Sequence, residues 1–175
     1  MDWYRYRDDA TIAKALQHLH DEERLKIDMT LLDELYNYTA YGKTMRDISA
    51  ASYRTSADMH ALTKPYEEVQ FFRGRVLRIK TGHLPVQRIL KRLWAVCTTA
   101  LYGHDELVKL SPVARKEAAI LAILEPLRER MDECELVIET ATEVEKLLAN
   151  AYYTLKELRG INEVFIEEQR RDRNV

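Results

Sequence analysis

Apolar residues recur along this chain at steps of three and four, the period that lays side chains on one face of a helix. The clearest run is Ile120, Leu124, Leu127, Met131, Cys134, Ile138 and Ala141, continued after a shift of one position by Val144, Leu148, Ala151, Leu155 and Leu158. This heptad-patterned stripe predicts a helical arm of about 45 residues, roughly 65 Å at 1.5 Å per residue. A compact domain of this mass does not require such a length, so the arm is expected to kink, to fold back as a hairpin or to reach another subunit. Pro126 marks one bend, near 122–125. Thr140 and Thr142, each three residues before a glutamate, mark a second through capping boxes. Gly160 is expected to stop the arm, with Asn162 capping a short final helix that contains Val164 and Phe165.

The N-terminal half repeats the same period in shorter pieces. An arm containing YRYR precedes a helix near Asp9 to His20, capped by Asp8 or Asp9, with Ile12, Leu16 and Leu19 on one face. From Thr30 to Leu62 the spacing predicts one helix, and its stripe turns small through Gly42, Ser49, Ser52 and Ser56. Pro65 is placed to open a further helix with Val69, Phe72, Val76 and Ile79 inward and Gly82 just past its end. Residues 75–80 also read as a short strand, since Leu77 and Ile79 alternate with Arg78 and Lys80, but the longer stripe favours helix. Pro85 opens the next helix, to Gly103, with Ile89, Leu93, Val96 and Ala100 inward. GHDELVKLSP is a connector with one helical turn, and Ser111 and Pro112 supply a cap and a first helical residue. The expected architecture is all-α: a helical bundle over 1–103, a connector over 104–111, and a long, kinked or hairpin arm with a short C-terminal helix over 112–175.

Composition supports the class. Five glycines and four prolines in 175 residues are too few for a turn-rich β fold. Cys97 and Cys134 sit among apolar neighbours in helical patterns and read as buried, reduced thiols, which fits an intracellular, cytoplasmic setting. The opening MDWYRYRDD is not a secretory signal, and no run of 18 uncharged apolar residues predicts a membrane span.

Charge changes the picture more. The formal net charge of -2 conceals a segregation in which residues 71–116 carry ten basic and two acidic side chains. Within Phe71–Trp94 the cations Arg73, Arg75, Arg78, Lys80, Arg88, Lys91 and Arg92 stand without a single carboxylate. The counter-charge exists downstream, on Glu125, Glu129, Asp132, Glu133, Glu135 and Glu139 of the heptad arm. Basic and acidic segments of one chain pair within a fold or between copies, whereas an acid-free basic block also suits phosphate.

Catalytic chemistry finds little footing. YGKTMRD ends like a phosphate loop but lacks the glycine five residues before Gly42 and lies in a helical pattern. The five histidines share no short spacing and HExxH is absent, so no metal or other cofactor is expected. Residues 45–63 resemble a helix-turn-helix in which Thr55, Ser56, Ala57 and His60 face a groove, but Tyr53 stands where glycine is usual, Arg54 follows it, and Asp58 points towards phosphate. The reading that fits best is a non-enzymatic interaction or assembly protein. It forms a homo-oligomer or bridges a larger intracellular complex, a virus or phage particle being one such context. Tyr36, Tyr38, Tyr41, Tyr152 and Tyr153 are its candidate interface anchors. A nucleic-acid-binding module that uses residues 71–94 is the alternative.

Overall fold

The computed structural model describes residues 3–48 and 56–172. Helices α1 (Ala10–Asp21), α2 (Thr30–Arg46), α3 (Ser56–Tyr102), α4 (Asp105–Val108), α5 (Val113–Ile123) and α6 (Glu125–Asp172) carry the chain, with short 3-10 turns at Tyr4–Asp8 and Glu23–Leu25. The fold is all-helical with a long C-terminal helix, and residues 75–80 are helix.

The two long helices correct several expected boundaries. Pro65, Gly82 and Pro85 neither open nor close a helix, because α3 runs through them for 47 residues. Each internal proline costs about 3 kcal/mol. Against that, Leu62, Val69, Val76, Leu90 and Cys97, which recur at multiples of seven, are all fully buried. Burial of each such side chain contributes about 1.5–3 kcal/mol, so one continuous face outweighs the interruptions. In residues 85–103 the expected Ile89, Leu93 and Ala100 pack partly buried against the core. Leu90, Cys97 and Leu101 are buried, while Val96, placed inward by the shorter pattern, is 51% exposed.

In α6, Leu127, Cys134, Ala141, Leu148 and Leu155 form one heptad row and Val137, Val144, Ala151 and Leu158 the next, all buried. The helix passes through Thr140, Thr142 and Gly160 without stopping and extends for 48 residues, bending by only 10° near 162–165. A glycine in a helix costs about 1 kcal/mol, too little to break it here. The interruption lies where Pro126 predicts it. Leu124, at φ -97° and ψ 16°, separates α5 from α6, and Pro126 falls in the first turn of α6, where its missing N–H leaves no bond unmade.

Two other boundaries differ from expectation. The helix expected over 30–62 stops at Arg46. Ser49 and Ser52, small members of the expected stripe, lie outside the described residues. Ser111 does not cap α5, whose N-cap is Pro112 with no side-chain hydrogen bond.

The described residues belong to two compact units, one from Met1–Met29 and Gly82–Ile138, the other from Thr30–Thr81 and Glu139–Val175. In the first, Ile12, Leu19, Leu25, Leu90, Leu101, Leu107, Ile123, Leu124 and Leu127 form the centre of the core. The opening YRYR turn is part of this unit and not a free arm. Tyr6 is buried, and its hydroxyl donates to Glu106 Oε2 at 2.8 Å, a carboxylate that also pairs with Arg5. Asp9 caps α1 by accepting from the N–H groups of Thr11 and Ile12 at 2.9 and 3.3 Å. Cys97 and Cys134 are free and buried, and burial pushes both thiols up, so both stay protonated.

In the second unit, Leu35, Leu62, Val69, Val76, Val144, Leu148 and Leu155 are buried. Here α3 and α6 run antiparallel: Tyr66 reaches Tyr152, and Lys80 reaches Glu145. Gly42 lets α2 approach closely, because a Cβ there would sit 3.2 Å from side-chain atoms of Leu147 and Leu148.

Candidate interaction surfaces

The basic segment contributes different surfaces to the two units. In the second, Arg75 Nε and Nη2 donate to both oxygens of Glu34, at 2.8 and 3.1 Å. Lys80 Nζ meets Glu145 Oε2 at 2.8 Å. Arg73 lies over the Tyr152 ring with its guanidinium carbon 5.0 Å from the centroid. Arg78 is exposed and has no ion pair among the described residues. In the first unit, Arg88, Lys91 and Arg92 are likewise exposed and unpaired among the described residues.

The acidic residues of the arm find other cations. In the first unit, Glu125 lies 3.7 Å from Arg7, Asp132 3.5 Å from Arg128, and Glu133 3.4 Å from Arg130. Glu129 and Glu133 line a cavity of about 330 Å³ with Leu16, Leu19, His20 and Arg130. Glu135 is exposed, as is Glu139 in the second unit. None of the six acidic residues pairs with a cation of 71–94 among the described residues; Glu34 and Glu145 do instead.

Of the tyrosines, three are built into the second unit. Tyr38 stacks on Phe72 with centroids 4.5 Å apart, and its hydroxyl donates to Glu34 at 2.5 Å. Burial and that carboxylate push its phenol up to about 12. Tyr41 donates to Glu68 at 2.6 Å, and burial first, then the carboxylate, raises its phenol further. Tyr152 bonds Tyr66 hydroxyl to hydroxyl at 2.9 Å, which raises its phenol, while Arg159 covers the Tyr66 ring. Tyr36 and Tyr153 are more than half exposed.

One surface escaped the sequence patterns. In the first unit, α1 and α3 flank a groove of about 380 Å³ whose walls include Lys14, Ala15 and His18 on one side and Leu93 and Val96 on the other. Arg92, one turn before Val96 on α3, is exposed and lies outside the residues that line the groove. His18 Nδ1 lies 3.9 Å from Glu22. The groove is therefore apolar along Ala15, Leu93 and Val96, with Lys14, Thr11 and His18 as its polar lining. Counting by sevens from Leu62 lands on Leu90 and Cys97 and leaves Val96 one position out of phase, which marks that valine, though not the α1 wall, in the sequence.

Among the described residues no group of three histidines, cysteines, aspartates or glutamates is arranged to hold a metal ion, and no helix is long and apolar enough to cross a membrane. The turn of the helix-turn-helix candidate, with Tyr53 and Arg54, lies outside the described residues. No family model, curated protein or solved structure matches this chain.

Proposed function

We propose that this chain is a non-enzymatic interaction or assembly protein that self-associates or bridges subunits of a larger intracellular complex. The observation that carries this reading is the groove between α1 and α3, where Ala15, Leu93 and the exposed Val96 are bordered by Lys14, Thr11 and His18. An apolar centre with a charged rim is the anatomy of a protein interface. Phosphate recognition needs the cations but not the apolar floor. The pairing of Arg75 with Glu34 and Lys80 with Glu145 adds support, because part of the basic block is already neutralised by carboxylates of the same chain.

A second reading, nucleic-acid binding, is favoured by one feature: Arg88, Lys91 and Arg92 are exposed on a single helix and have no carboxylate partner among the described residues. Light scattering of the purified chain at low and moderate salt, with and without labelled single-stranded and duplex oligonucleotides, separates the two. The assembly reading expects an oligomer whose mass is indifferent to nucleic acid. A monomer that gains mass only on adding an oligonucleotide, and releases it steeply with salt, reverses the assignment.

A further inference from the structure

We infer that a groove between α3 and α6 in the second unit binds a small organic monoanion, a carboxylate carried on a short apolar body. This goes beyond the assembly reading, and neither rests on the other.

The groove has a volume of about 330 Å³ and is lined by Gln70, Arg73, Gly74 and Leu77 from α3 and by Glu145 and Tyr152 from α6. That volume is at the lower end of the roughly 300–1,000 Å³ of ligand pockets, so it suits a small molecule and not a protein segment. Charge sets the sign of the ligand. Glu145 is matched by Lys80 at 2.8 Å, whereas Arg73 has no ion pair among the described residues. Among these three groups one positive charge is left over. A ligand with a single negative charge balances it, while a phosphate monoester, at about -1.5 to -2, would bring excess charge beside Glu145.

Donors for a carboxylate are in place. The guanidinium carbon of Arg73 lies 5.0 Å from the centroid of the Tyr152 ring, which fixes the group against an aromatic wall. None of its N–H groups is committed to a carboxylate among the described residues, so its planar fork is available for two parallel hydrogen bonds. The Tyr152 hydroxyl accepts from the Tyr66 hydroxyl at 2.9 Å and so keeps its own O–H to donate. Gln70 adds a side-chain amide to the lining. Leu77, 48% exposed, offers the apolar contact that rewards a ligand with a hydrocarbon body. Position 74 keeps the groove open: a Cβ there would meet nothing within 4 Å, and glycine puts no side chain into that space.

The test titrates the full chain with hexanoate, hexyl phosphate and hexylammonium and reads binding by ligand-observed NMR. Hexanoate is expected to bind most tightly of the three. Arg73→Gln should weaken hexanoate about tenfold or more, the loss of hydrogen bonds to a charged group, and Tyr152→Phe by about two- to tenfold. Gly74→Leu separates binding from folding. Its side chain enters open space in a helix interior, so the urea midpoint should not fall while hexanoate binding is lost. Hexanoate binding that survives both Arg73→Gln and Gly74→Leu overturns the site. Tighter binding of hexyl phosphate or of hexylammonium overturns the carboxylate assignment, and a wild-type chain that binds no hexanoate overturns the proposal whatever its oligomeric state. A chain that binds hexanoate as a monomer supports this site and counts against the assembly reading alone.

Discussion

Arg7 closes the C-terminus of α5: its Nε donates to the carbonyl oxygen of Ile123 at 2.8 Å, and its Nη2 donates to that of Ala122 at 3.0 Å. Carbonyls at a helix C-terminus lack partners within the helix, and the helix dipole favours a cation there. Arg7→Ala is expected to destabilise the protein by about 1.5–3 kcal/mol, the range for hydrogen bonds to a charged group, read as a fall in the urea midpoint. Arg7→Lys should recover only part, since one ammonium cannot match a planar fork aimed at two oxygens. An unchanged midpoint for Arg7→Ala would show that water serves those carbonyls equally well.

Asp9 adds a pH dependence at the start of α1. The N–H of Thr11, followed by those of other partners including Ile12 and the ring of His104, holds its carboxyl below the usual value. A carboxyl depressed on folding contributes stability above its unfolded pKa of about 3.9 and loses it as pH falls through the lower folded value. Asp9→Ala should therefore cost about 0.5–2 kcal/mol at neutral pH and progressively less in acid. A difference that stays constant down to the acid transition would contradict the cap.

Tyr38 works in the opposite direction. Its phenol is raised to about 12, so the unfolded chain ionises first and the contribution of Tyr38 is complete below the ordinary value near 10. It is lost as pH rises from about 10 through 12. Alkaline titration of tyrosinate absorbance should show one late-ionising group fewer in Tyr38→Phe. In Glu34→Gln the same group should move towards the ordinary value, because the carboxylate that opposes phenolate formation is gone.

Glycines separate by what surrounds them. Gly74 and Gly160 face open space inside helices, so Gly74→Ala and Gly160→Ala should each stabilise by about 0.4–1 kcal/mol through the unfolded chain's entropy. Gly42→Val forces branched atoms against Leu147 and Leu148 and should destabilise by about 1–3 kcal/mol. Thermal unfolding of the three variants reads both signs, and a stabilising Gly42→Val would show that α2 can move away from α6.

The helical class, the Asp9 cap, the turn at Asp105–Val108, the interruption beside Pro126 and the buried stripe from Ile120 to Leu158 all follow from residue spacing and local backbone chemistry, which a linear chain displays directly. Spacing also holds the heptad row from Leu62 to Cys97, although Pro65 and Pro85 mask it. Those prolines, like Gly160, carry local costs of about 1–3 kcal/mol. Whether such a cost ends a helix depends on how much apolar area its other residues bury, and that is known only once the neighbouring helices are in place.

Charge depends still more on tertiary structure. Arg75 meets Glu34 and Lys80 meets Glu145, 41 and 65 residues away. The acidic run that began at Glu125 turned instead to Arg7, Arg128 and Arg130. Hydrophobic period is a property of one helix and is written along it. Coulomb attraction has no period, so the partner of each cation was decided by which faces packing brought together.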